Sequence, residues 1–201
     1  MKPDPRQNRL KTHLRDHPIH ATPWAGLAFR AAALKHASPE TLIDGKGAHK
    51  HGGRWNPPAS FRAVYLALSP EAAVAEVFQT GSHYGFNVAS LRPRVIVAVR
   101  IQLWNIVDLR PDAGPISEVC SLAELLGENW RIAADQKRMT LSQTLGSLFF
   151  AIGIEGFLVP SATGEGPGNL VLFNDNLLPD SSLEVLGGDE LDQALRGPDH
   201  D

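Results

Sequence analysis

Apolar residues alternate with period two along Arg62–Ser69 (RAVYLALS): Val64, Leu66 and Leu68 fall on one side, Ala63, Tyr65 and Ala67 on the other. That period predicts a strand. RVIVAVRIQLW repeats it, with Val95, Val97, Val99, Ile101 and Leu103 on one face and Arg94, Arg100 and Gln102 on the other. Shorter apolar runs in GFLVPSA, NLVLFN and SLEVLG predict three further strands. Between these runs the spacing changes to that of helices. Ser69-Pro70-Glu71 supplies an N-cap, a first-turn proline and an acidic first turn, so a helix is expected to about Gln79, stopping before Gly81. TLSQTLGSLFFAIG carries a capping box from Thr140 to Gln143, a predicted inner stripe of Leu141, Leu145, Leu148 and Ile152, and a stop at Gly153.

Strands and helices alternate irregularly, and no glycine-rich phosphate loop follows any strand. The expected class is therefore α+β, a mixed sheet with surrounding helices rather than a βαβ series. Residues 1–22 are polar and read as an N-terminal extension; residues 23–188 form the domain; residues 189–201 (DELDQALRGPDHD) predict a short helix and an acidic tail.

A hydrophobic content of 43% over 201 residues is enough for one domain with its own core. The single cysteine, Cys120, excludes an internal disulfide framework and a multi-cysteine zinc site. No stretch approaches the roughly 20 apolar residues of a membrane span. The first 20 residues lack the apolar core of a secretory signal, so a cytoplasmic protein is the expectation. Net charge is −3, but residues 1–62 hold eleven Lys/Arg against four Asp/Glu, and the remainder eight against eighteen. Either two oppositely charged tails or a basic rim that draws in a small anion accounts for this. Basic residues do not interleave with aromatics, which argues against a nucleic-acid surface.

Four residues break their surroundings in ways that suggest chemistry. Arg54 sits in GGRWNPPAS, where glycines allow close approach and the proline pair stiffens the chain on its C-terminal side; its guanidinium suits bidentate binding of a phosphate or carboxylate, unless it is a surface arginine in a turn. Tyr65, flanked by Ala63 and Ala67, has room for a flat ring above it, or else packs under a loop with its hydroxyl bonded. Glu76 is the one polar residue in AAVAEVF; it lies on a narrow solvent stripe, or it is buried and needs a partner such as Arg54 or Tyr65. Ser161 ends a strand at a glycine-rich loop with no G-x-S-x-G elbow, which suits hydrogen bonding rather than nucleophilic attack. His49 and His51, and His13, His17 and His20, lack the companions of a metal motif; no metal is expected and the histidines read as solvated.

In order and spacing these residues resemble the RES-domain family, named for its arginine, glutamate and serine. The resemblance rests on GGRWNPPAS, AVYLALSPEAAVAEV, GFLVPSA and GNLVLF, with FRAA and LSQTLG as weaker anchors, and covers Trp24 to about Gly187. It implies a fold like that of ADP-ribosyltransferases, a split mixed β-structure around an NAD cleft. It also implies cleavage of the nicotinamide N-glycosidic bond of NAD, by hydrolysis or with inorganic phosphate, as the toxin of a pair whose antitoxin is a helix-turn-helix protein. Carried over, Glu76 stabilises the ribose cation, Arg54 holds pyrophosphate or attacking phosphate, Tyr65 stacks on nicotinamide, and Ser161 bonds the ribose or amide. Asn169 matches a weaker family position as a substrate-binding or loop-shaping residue. An ADP-ribosyltransferase acting on a protein, or a catalytically silent nucleotide binder, is the alternative; a homo-oligomer is compatible with any of these. One departure stands out: Ala59 follows the proline pair where a glycine is typical.

Overall fold

The computed structural model describes residues 1–83, 94–111, 113–164 and 166–196. In chain order the elements are α1 (Gln7–Asp16), β1 (Thr22–Ala33), α2 (Pro39–Ile43), α3 (Lys46–His51), β2 (Ala63–Ala67), α4 (Pro70–His83), β3 (Arg94–Asp108), α5 (Leu122–Gly127) and α6 (Trp130–Asp135). The chain continues with α7 (Leu141–Ala151), β4 (Gly156–Val159), β5 (Asn169–Phe173), β6 (Ser182–Val185) and α8 (Gly188–Arg196). The class is mixed α+β.

Pairing runs β1–β2–β5–β4–β3 and returns to β1, with β6 on β3. β1 meets β2 at Phe29↔Ala67 and lies antiparallel to β3 from Ala33↔Arg94 down to Thr22↔Ile106. β3 and β4 are parallel, Ile106↔Gly156 to Asp108↔Leu158, while β2–β5 and β4–β5 are antiparallel. The five strands thus close on themselves. Ala28, Val64, Leu66, Val99, Ile101, Leu103, Leu158, Leu170 and Leu172 meet in the interior. The alternate residues of the same strands, Ala63, Phe157, Val159, Val171 and Phe173, face outward onto α1 and α7, where Leu10, Leu141, Leu145 and Phe149 are fully buried. Period two in the sequence therefore separates two cores, one inside the ring and one beneath the helices.

α4 starts as expected, with Ser69 Oγ accepting from Ala72 N at 3.2 Å, but it runs on to His83 rather than ending near Gln79. The capping box at Thr140 closes in both directions, and Gly153 adopts φ 82° at the helix stop. The inner stripe of α7 differs from the expectation. Phe149 takes the core position, and Ile152 is 51% exposed because the helix has ended by then. His13 is not solvated either: it stacks on His17 with centroids 4.5 Å apart, and its Nε2 meets the Pro115 carbonyl at 2.8 Å. Buried Glu155, which the sequence did not single out, ties β3 to the 177–181 loop by accepting from Trp104 N (2.7 Å), Asn105 N (2.8 Å), Leu178 N (3.1 Å) and Ser181 Oγ. Among the described residues no helix is long and apolar enough to cross a membrane, and no three His, Cys, Asp or Glu side chains gather as a metal site would require. The expected acidic tail beyond Arg196 lies outside the described residues.

Candidate functional site

The loop between α3 and β2 is held at five points. Gly52 turns the chain at φ 74°, and Gly53 N donates to Asn56 O at 2.9 Å. Asn56 is fully buried; its Nδ2 donates to Ala48 O (2.8 Å), and its Oδ1 accepts the Tyr65 hydroxyl (2.7 Å). That hydroxyl in turn accepts from Trp55 N at 3.0 Å. From α7, Gln143 Nε2 donates to Gly53 O at 2.9 Å, while Trp55 is buried edge-on against Phe157. A Cβ on Gly53 would lie 2.8 Å from Tyr65 Cζ, so glycine is what lets the loop settle over the ring.

This rigid loop presents Arg54. Its Nη1 donates to the carbonyls of Leu126 (2.7 Å) and Glu128 (3.1 Å), the C-terminal end of α5. Both bonds use one nitrogen, and among the described residues the other guanidinium nitrogens have no partner. Burial draws the Arg54 pKa below its ordinary value, against the opposing pull of the Glu76 charge. Such a group gains from an anionic ligand.

Glu76 lies one turn beyond Ala72 and Ala73, which are buried against Ala67, Phe29 and Ala31. Its Oε1 accepts from Ser161 Oγ at 3.0 Å and from Asn169 Nδ2 at 2.9 Å. Because the single Ser161 proton goes to the carboxylate, Thr163 Oγ1, 2.7 Å away, donates to Ser161 in turn. The first residue of β5 and the turn after β4 thus converge on one oxygen of a residue from α4. Oε2 is left with no protein partner among the described residues.

All five residues singled out in the sequence come together. Arg54, Tyr65, Glu76 and Asn169 line one cleft of about 360 Å³, with Ser161 directly behind the carboxylate. A second, more apolar cleft of about 270 Å³ opens on the other side of Tyr65, Glu76 and Asn169, bounded by Phe29, Ala73 and Val77. Tyr65 therefore reaches both clefts with its ring. Its hydroxyl donates to Asn56 Oδ1 and accepts from Trp55 N, and burial pushes its pKa above the ordinary phenol value.

Sequence reasoning missed two contributors. Arg30 on β1 lines both clefts; its Nη1 donates to Leu42 O at 2.6 Å, and burial draws its pKa down. Its signal was the one Glu76 gave, a lone charge in an apolar run (WAGLAFRAAA). Trp130, with Arg131 stacked 4.4 Å over its ring, closes the Arg54 side of the cleft and had no comparable signal.

The RES domain model matches residues 27–191. The NAD(+) phosphorylase MbcT of Mycobacterium bovis, and that of Mycobacterium tuberculosis, are each 27% identical over 126 residues. That match spans 62% of this chain and 63% of the relatives' own length, a little under two thirds. In fold, the chain is similar to one in the crystal structure of the M. tuberculosis MbcT–MbcA toxin–antitoxin complex. The TM-score is 0.64 at 22% identity, over 89% of this chain and 87% of that one.

Proposed function

Because the chain belongs to the RES-domain family, we propose that residues 23–188 form an enzyme that breaks the bond between nicotinamide and ribose in NAD. The observation that carries this reading is the Glu76 carboxylate, held through one oxygen by Ser161 and Asn169 between two clefts, with Arg54 and Arg30 on the same cleft wall. Nicotinamide in NAD is a cationic leaving group. When the C1′–N1 bond breaks, its electron pair stays on the ring nitrogen, the ring becomes neutral, and positive charge moves to the ribose. A fixed carboxylate stabilises that oxocarbenium-like ribose without supplying a proton. Glu76 Oε2 is the oxygen available for this, and for orienting the nucleophile.

The clefts divide the substrate between them. The one beside Phe29, Ala73 and Val77 suits the departing ring, and the one bearing Arg54, with Arg30 between the two, suits the pyrophosphate. A phosphate oxygen attacking C1′ gives a phosphorylated ADP-ribose; water gives ADP-ribose and one proton. Phosphate as the acceptor is in keeping with the activity named for MbcT. Kinship with ADP-ribosyltransferases and inhibition by a partner that covers the cleft belong to the same reading; the similar fold was crystallised with its antitoxin.

The test is nicotinamide release from NAD, with and without phosphate, by wild type and by Glu76→Gln. Glutamine keeps an acceptor for Ser161 and Asn169 while removing the charge, so the variant folds and loses roughly 10²–10³-fold in kcat. Wild-type protein that binds NAD but releases no nicotinamide sinks the proposal, as does full activity in Glu76→Gln.

A further inference from the structure

The cleft at Glu76 does not end at Arg30. Across Arg30 and Gly47 it opens into a groove of about 1100 Å³ between the end of β1 and α3. Arg30, Lys35, Lys46, Lys50 and Arg94 all line this groove. Among the described residues the lining has one carboxylate, Asp44, and it pairs with Lys46 at 3.3 Å. Four permanent positive charges thus remain with no opposite charge on the groove wall among the described residues. This is where much of the basic excess of residues 1–62 collects.

Nicotinamide and pyrophosphate take up the 270 Å³ and 360 Å³ clefts, the larger of which is near the lower end for small-ligand sites, and this leaves the far end of the dinucleotide to be placed. Its adenosine half must continue into an adjoining space. The pyrophosphate brings about two negative charges, which Arg54 and Arg30 are enough to match. Lys35, Lys50 and Arg94 then have no counterpart in unphosphorylated NAD. A phosphate on the adenosine ribose supplies about −1.5 to −2 more charge, well away from the bond that breaks. On the reading of the cleft just given, we propose that the groove takes the 2′-phosphate of a phosphorylated nicotinamide dinucleotide, and that NADP is the preferred substrate.

Adenosine 5′-monophosphate and adenosine 2′,5′-bisphosphate differ only in that phosphate, so their binding to the full chain isolates it. Calorimetry at low salt is expected to show the bisphosphate bound about tenfold or more tightly, the scale of two exposed cation–phosphate contacts. The advantage shrinks as salt is raised, because Lys35 and Lys50 are exposed. It disappears in Lys35→Ala/Lys50→Ala and survives Lys11→Ala on α1. Equal affinities in wild type, or an advantage that outlives both groove lysines, overturns the proposal. Nicotinamide release is then compared for NADP and NAD: kcat/KM is expected to favour NADP by a similar factor, and the ratio falls in the double variant. Failure to release nicotinamide from either dinucleotide, with the bisphosphate advantage intact, refutes the reading of the cleft and keeps the groove's ligand.

Discussion

Gly146 gives the sharpest test of how the Arg54 loop is held. It is a buried residue in the middle of α7, and a Cβ placed on it would lie 2.9 Å from the carbonyl carbon of Trp55 and closer still to that carbonyl's oxygen. Two effects of Gly146→Ala oppose each other. Helix propensity alone favours alanine by about 1 kcal/mol. Against it, the obstacle is backbone rather than a side chain that could rotate, so the loop must retreat by roughly 1 Å, and overpacking of this kind costs about 1–3 kcal/mol. With a backbone obstacle the upper end applies, which leaves a net loss of about 1–2 kcal/mol. For a chain of this size that lowers the melting temperature by roughly 2–8 °C. Arg54 is carried with the loop, and a 1 Å misplacement of a binding group can cost about 10²-fold in turnover. Thermal unfolding followed by circular dichroism, alongside nicotinamide release, reads both effects. A Gly146→Ala protein that melts at or above the wild-type temperature would show that α7 does not clamp the loop, and the account of Arg54 positioning would fall with it.

Two further substitutions probe local structure. Ala59 adopts φ 56° while its N–H donates to His49 O at 2.7 Å. Ala59→Gly therefore relieves about 1–2 kcal/mol of left-handed strain, offset by about 0.5–1 kcal/mol of lost chain entropy. A higher urea midpoint at unchanged slope, equivalent to about 0.5–1 kcal/mol of unfolding free energy, is expected; no gain refutes it. Asp4 is buried, which raises its pKa, but hydrogen bonds from the Arg6 side chain and backbone outweigh burial and hold it below its ordinary value. A carboxyl depressed in the folded state contributes stability above the unfolded value and loses it as pH falls through the folded one. Asp4→Asn is thus less stable than wild type at pH 7, and the gap narrows as pH falls below the ordinary carboxylate range and through the lowered Asp4 pKa; a gap independent of pH contradicts the assignment.

What could be read from the sequence was local. The Ser69 cap, the Thr140–Gln143 box and the Gly153 stop are decided within a few residues of chain, and all three stand in the structure. Alternation marked β3 because Val97, Val99, Ile101 and Leu103 are buried while Arg94, Arg100 and Trp104 on the other face are exposed, and β2 because its two faces enter different cores. β1 escaped notice because its inward residues, Gly26, Ala28 and Ala32, are too small to make a period visible, and its partner β3 begins some sixty residues later. The same limit explains α7, where Ser142, Gln143 and Thr144 are buried although polar. Gln143 is bound to a loop ninety residues away, which no helical wheel records. At the site, Glu76 stood out as a charge in an apolar helix, whereas the hydrogen bonds that hold it come from residues 161 and 169 and were beyond any local pattern.

That separation has a consequence during synthesis. β2 finds its partner in β5, and Glu76 acquires Ser161 and Asn169 only when the strand at 169–173 is in place. A ribosome adding about 5–20 residues per second reaches the end of β5 about 5–20 s after it has passed Glu76. The emerging chain already carries Arg54, Tyr65 and Glu76, yet it has no assembled carboxylate. On the function proposed above, the chain is thus inert toward a dinucleotide until β5 has been made.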